Sequence, residues 1–256
     1  GNLGNLDHHR PGDTAGTPSA TEQAMSSPIL PPKGATVVIL KPDCDSIGAA
    51  AVLANRMAGR PVSLEIVKQI GRFDRLGPAA GRPSDEVIAI GRVAADTKKP
   101  LIDRVRFAQE VFEGNGNADE INGLVAAHDA EFAAAEKASQ VSLHAEGEIA
   151  LVVSTHRHAT NIGYAKASVV VAFNPEMPVD FGDPSKGTYR KFTICRYDSH
   201  VRVDLQSAMA ELNKLDTAVT PNSQWGGRGD IGGSPQGVSS ELTVEQVVEV
   251  ITRHLR

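Results

Sequence analysis

An apolar, β-branched run, Thr36-Val37-Val38-Ile39-Leu40, ends at Lys41-Pro42, and a stretch of mostly good helix formers follows from Ile47 to Met57. The run predicts a buried strand and the stretch a helix. The segment Pro42-Asp43-Cys44-Asp45-Ser46-Ile47-Gly48 then lies on a strand-to-helix turn. In open α/β sheets the carboxyl ends of strands border the ligand crevice. Two carboxylates one residue apart at such a place, Asp43 and Asp45, suit a hard, oxygen-seeking cation, Mg²⁺ or Mn²⁺ above others. The same residues also fit a plainer task, with Asp45 or Ser46 capping the helix and Asp43 closing the turn. The pattern leaves both readings open.

A second chemistry-bearing stretch stands near the N-terminus, where Asp7-His8-His9 precedes a Pro11-Gly12 turn. Of two adjacent histidines on an irregular segment, one can ligate a metal through a neutral nitrogen. The other can hydrogen-bond, or carry a proton, to a phosphate oxygen. A solvated surface cluster is the alternative.

Taken together, these residues resemble the DHH phosphoesterase superfamily, metal-dependent hydrolases of phosphoanhydrides and phosphodiesters. The family's His-Pro-Asp-x-Asp-Ser-x-Gly type of motif is matched from Pro42 to Gly48, and Ser19-Ala20-Thr21-Glu22-Gln23-Ala24 resembles the helix start that follows Asp-His-His. The segments 163–175 and 225–233 resemble parts of the DHH-associated domain. The resemblance implies an α/β protein of two domains with a cleft between them. One has a mostly parallel sheet with flanking helices, and the other is a smaller C-terminal α/β domain. On the sequence these fall at 1–115 (metal-binding), 116–145 (helical linker) and 146–256 (substrate-binding), with Glu113 to Asn117 as the helix-breaking boundary.

The resemblance also implies the site. Two ions, Mn²⁺ or Mg²⁺, would be held by His8, Asp43, Asp45 and Asp74, with Asp7 a ligand or the residue orienting the histidines, and His9 catalytic. Asp74 enters because the family needs a bridging aspartate, although an Arg-Asp-Arg surface cluster explains it as well. Substrate contacts fall on Gly226, Gly227, Arg228 and Gly229, where glycines let backbone N–H groups approach an anion and an arginine forks onto it, and on Arg157. The alternative for the Gly-rich stretch is a flexible surface loop. Short oligonucleotides, nucleoside phosphates or other small phosphate esters are the implied substrates. Trp225 beside the glycines favours a ligand larger than pyrophosphate.

Three departures from the family pattern bear on activity. The two motifs stand in reversed order, which implies a permuted chain or a truncated N-terminus. Lys41 occupies the place of the first histidine ligand, and Arg228, Gly229 and Asp230 stand where a Gly-Gly-Gly-His motif is expected. A catalytically impaired nucleotide-binding protein and an inorganic pyrophosphatase are therefore the alternatives to a phosphodiesterase, exonuclease or nucleotide phosphatase.

Composition narrows the classes further. Aromatics make up 4% of the chain and the formal net charge is −5, which disfavours base-stacking platforms and extended duplex binding. Two cysteines, Cys44 and Cys195, are too few for a secreted disulfide framework, and no apolar run approaches a membrane span. A cytoplasmic protein is expected, and a homodimer stays open. Further along, 62–67 alternates as a strand would. The near-continuous apolar runs 149–154 and 169–173 predict strands buried on both faces, and 189–197 a third strand. Helices are expected at 20–25, 47–58, 99–112, 118–140 and 206–215, and at 243–255 under a Ser240 or Thr243 cap.

Overall fold

The computed structural model describes residues 5–6, 17–197, 201–227 and 229–256, the side chains of Pro78 and Ala79 excepted. The chain divides into two compact units, residues 1–130 and 131–256. It is a mixed α/β protein with nine α-helices and one six-stranded sheet among the described residues.

In the first unit the described residues form helices: α1 (Ala20–Ser26), α2 (Cys44–Met57), α3 (Leu64–Leu76), α4 (Asp85–Ala95) and α5 (Leu101–Phe112). A sixth, α6 (Ala118–Lys137), carries the chain across the division. Helix α2 is central, packing against α1, α3, α4 and α5. Its run of small residues makes this possible. A Cβ on Gly48 would lie 2.6 Å from Thr21 Oγ1, so α1 approaches as closely as it does only because that position is glycine. Ile47, Val52, Ile70, Ile90 and Phe112 fill the core below.

Two expected strands of this unit do not form. Residues 62–67 instead start α3: Ser63 caps it by accepting from Ile66 N at 3.4 Å, and Ile66, Val67, Ile70 and Gly71 are buried along one helical face. Six residues of alternation could not distinguish the two periods. The Thr36–Leu40 run has no regular structure and pairs with nothing among the described residues, with Val38 75% and Leu40 97% exposed. A strand needs a ladder partner, and the described part of this unit offers none.

The sheet belongs to the second unit. Its strands are β1 (Gln140–His144), β2 (Ile149–Val153), β3 (Val169–Pro178), β4 (Thr188–Arg196), β5 (Gly226–Gly227) and β6 (Ile231–Gly233), in the order β1-β2-β3-β4-β6-β5. Only β2–β3 is a parallel pair; the other four pairings are antiparallel, so the sheet is mostly antiparallel rather than mostly parallel. The reason lies in the connections. Helix α7 (Ala159–Tyr164) provides the crossover that β2 and β3 need, whereas β3 returns antiparallel into β4 through the connection 179–187, which holds only a short 3-10 turn at Pro184–Lys186. The apolar runs do lie buried on both faces. Leu151, Val171 and Ile194 pack with α8 (Leu205–Leu215) and α9 (Val244–Arg253), while Val152, Val170 and Ala172 pack with Ala159 of α7. The segment 116–145 holds α6 and then β1, an edge strand. Thr243 caps α9 in a reciprocal box with Gln246.

Candidate functional site

The start of α2 gathers the acidic residues. Asp43 is its N-cap: Oδ1 accepts from Ser46 N at 3.0 Å, and Ser46 Oγ accepts from Asp43 N at 3.0 Å and donates to Lys41 O at 2.7 Å. The capping reading of the Asp pair is thus realised, with Asp43 rather than Asp45 or Ser46 as the cap. Asp45 has a different task. It is 5% exposed, and its two carboxylate oxygens accept the backbone N–H groups of Ala20 and Thr21 at 2.8 and 2.9 Å. Thr21 Oγ1 donates back to the Asp45 carbonyl at 2.8 Å. Asp45 therefore sits on the exposed donors of the first turn of α1, where a negative charge is stabilising. The Ser19/Glu22 capping box marks that helix start in the sequence. Its partner 25 residues later is a tertiary fact.

Asp43, Asp45 and Asp74, the last from α3, line one cavity of about 610 Å³ within the first unit, together with Lys41 and the apolar stretch 35–40. Cys44 registers the same gathering. Burial first, and then the Asp45, Asp43 and Asp74 carboxylates, hold its thiol far above the usual range. The donors are carboxylate oxygens, which fit Mg²⁺ or Mn²⁺. Among the described residues, however, no group of three or more His, Cys, Asp or Glu is arranged to hold an ion. Asp7, His8 and His9 lie outside the described residues.

In the second unit, Arg228 also lies outside the described residues. The Gly-rich stretch around it is a hairpin at the sheet edge rather than a loose loop, Gly226-Gly227 pairing with Gly232-Gly233. Its glycines have a packing reason: a Cβ on Gly227 would stand 2.2 Å from Ile231 O, and one on Gly233 would stand 2.3 Å from Phe192 O. Gly229 follows in the turn. Trp225 says nothing about ligand size. It is 2% exposed, packs against Phe192, and donates from Nε1 to Asp216 at 2.8 Å, so it belongs to the core. Arg157 is two-thirds exposed and pairs with Glu131 at 2.6 Å. One cation went unnoticed in the sequence because it reads as a strand residue. Arg196, at the end of β4, brings a guanidinium nitrogen to 3.7 Å from where a Cβ on Gly229 would stand.

No protein-family model matches the chain, and no curated protein matches it. Among solved structures, the pGpG-specific phosphodiesterase PggH from Vibrio cholerae is similar with a TM-score of 0.45 and 9% identity, over 81% of this chain and 72% of that one. A likeness of that size carries no argument about activity. Among the described residues no helix is long and apolar enough to cross a membrane.

Proposed function

We propose that the protein is a divalent-metal-dependent phosphoesterase acting on short oligonucleotides or nucleoside phosphates. The observation that supports this reading most is the gathering of Asp43, Asp45 and Asp74 around one cavity beside Cys44. Carboxylates this concentrated repel a phosphate ester unless a cation stands between them. The Asp-His-His and Pro-Asp-x-Asp-Ser-x-Gly resemblance points the same way. In this reading Asp43, Asp45, Asp74 and His8 would hold two ions of Mn²⁺ or Mg²⁺, with Asp7 as a ligand or orienting the histidines. Bound there, the metal supplies Lewis-acid activation of water and of the phosphoryl oxygen. His9 holds or moves a proton at a phosphate oxygen. Ser46 keeps Asp43 oriented through the reciprocal cap. Gly226, Gly227, Arg228, Gly229 and Arg157 enter as substrate contacts on the resemblance alone, and Arg157 is engaged by Glu131.

Lys41 favours a second reading. It lines the same cavity, in the place where the family pattern has a histidine ligand, and its ammonium can neutralise a phosphate without any metal. That makes a non-hydrolysing nucleotide-binding protein the alternative. Calorimetric titration with Mn²⁺, followed by hydrolysis assays on a short oligonucleotide and on pyrophosphate, separates the readings. Asp45 is a poor probe because its carboxylate also anchors α1. Asp43→Ser keeps a helix cap, and Asp74→Asn keeps the side-chain shape. Both should retain the wild-type melting profile while losing Mn²⁺ affinity and at least about 100-fold in hydrolysis, at or beyond the upper end for disturbing a metal's outer shell. Wild-type affinity and turnover in both variants would exclude the site. Nucleotide binding that needs no Mn²⁺ and is lost in Lys41→Gln, with no turnover, would favour the second reading, and pyrophosphate cleavage alone would make the protein a pyrophosphatase.

A further inference from the structure

The second unit has a pocket of opposite character. It opens on the sheet face that carries α7, where that short helix leaves the strand ends beyond it uncovered. Its volume is about 300 Å³, and Thr155, His156, Arg157, Thr160 and Lys191 line it, with no Asp or Glu in the lining. Lys191, from β4, points to the same face as Thr193. Its ammonium donates to Ser234 O, leaving further donors free to meet a ligand. It has no carboxylate in ion-pairing range among the described residues, and burial lowers its pKa. His156 is oriented as well. Ser154 Oγ accepts from its backbone N–H at 3.0 Å, and its Nδ1 accepts from His158 N at 3.3 Å, which assigns the ring proton to Nε2, a donor. On the other flank stand Met177, Pro178 and Phe181, whose side chain is bare at the pocket lip with the residue 79% exposed.

We infer that this pocket binds a nucleoside monophosphate, its phosphate held by Lys191, His156 and the threonine hydroxyls and its base laid on Phe181. A half-buried lysine without a counter-charge is costly unless an anion completes it, and a flat ring beside it offers a stacking surface. The volume lies at the lower end for small-molecule sites, which suits one nucleotide and not two. All the lining residues belong to the second unit, so the inference goes beyond the phosphoesterase reading and does not depend on it.

The test is equilibrium binding of AMP to the full chain, in EDTA and again with Mn²⁺, with inorganic phosphate and adenosine as separate probes. One AMP per chain should bind in EDTA, phosphate should compete, and adenosine should bind at least ten-fold more weakly. Lys191→Gln should weaken AMP at least ten-fold. Phe181→Ser, at an exposed position that cannot unfold the chain, should weaken AMP while leaving the competing phosphate's affinity unchanged. Asp43→Ser should bind AMP as the wild type does. Absence of AMP binding in EDTA, wild-type AMP affinity in Phe181→Ser or in folded Lys191→Gln, or loss of binding in Asp43→Ser would overturn the inference. Failure of metal-dependent hydrolysis with these binding results intact would remove only the phosphoesterase reading.

Discussion

The runs Thr36–Leu40 in the first unit and 149–153 with 169–173 in the second have nearly the same composition, rich in valine, isoleucine and leucine. In the second unit they are adjacent interior strands of a sheet, with Ile149, Val152, Val169, Val170 and Val171 wholly buried. In the first, the run lies along the wall of the acidic cavity, where only Ile39 packs on the core. The difference is not one of propensity. A β-branched run becomes a strand only where another strand satisfies its backbone groups and a helix covers its side chains. The two pockets differ in the same way, three carboxylates around one and cations around the other, although each unit contains both signs of charge.

The largest expected effect tests the sheet side of the comparison. Ile194→Ala removes a wholly buried side chain between β3 and β6 and should cost about 2–5 kcal/mol in denaturant unfolding. A loss below about 1 kcal/mol would mean that the sheet is not the stabilising centre of its unit.

Asp216 should come next. It is buried, and burial by itself would raise its pKa. Hydrogen bonds from Ser240 and Trp225 side chains and from the Glu241 and Ala218 backbones outweigh that and hold its pKa below the usual range. Because the folded value is the lower one, the stabilisation is complete above the unfolded value of about 3.9 and is lost as the pH falls from there through the folded value. Asp216→Asn should cost about 2–3 kcal/mol at pH 7 and flatten the stability profile below about pH 4, as read from urea melts across pH. An unchanged acid limb would show that the carboxylate is not the titrating group.

In the helical unit single interactions should count for less. Ser19→Ala opens the capping box of α1 and should cost about 1 kcal/mol. Leu40→Ser, at the most exposed residue of the unpaired run, should change stability by less than about 0.5 kcal/mol. A loss as large as that of Ile194→Ala would mean that the run is covered in solution, and the contrast drawn between the units would fail.

Much of the element order was legible. Helices α1, α2, α5, α8 and α9 and strands β2, β3 and β4 lie within a few residues of the positions that periodicity, caps and breakers indicate. Periodicity and capping are local, so the sequence carries them directly. The Asp43 and Asp45 turn was legible as a place of charge for the same reason. That both are backbone acceptors was visible for Asp43, whose partner is three residues on, and invisible for Asp45, whose partners are Ala20 and Thr21. Strand direction, the unpaired run at 36–40, the edge hairpin that fixes Gly227 and Gly233, and the burial of Trp225 were decided by the tertiary structure alone. Each depends on which distant segment supplies a hydrogen-bonding or packing partner, and no local pattern records that. So too with Lys191. In the sequence it is one basic residue in a strand, and only the fold sets it beside His156 in a pocket without acids.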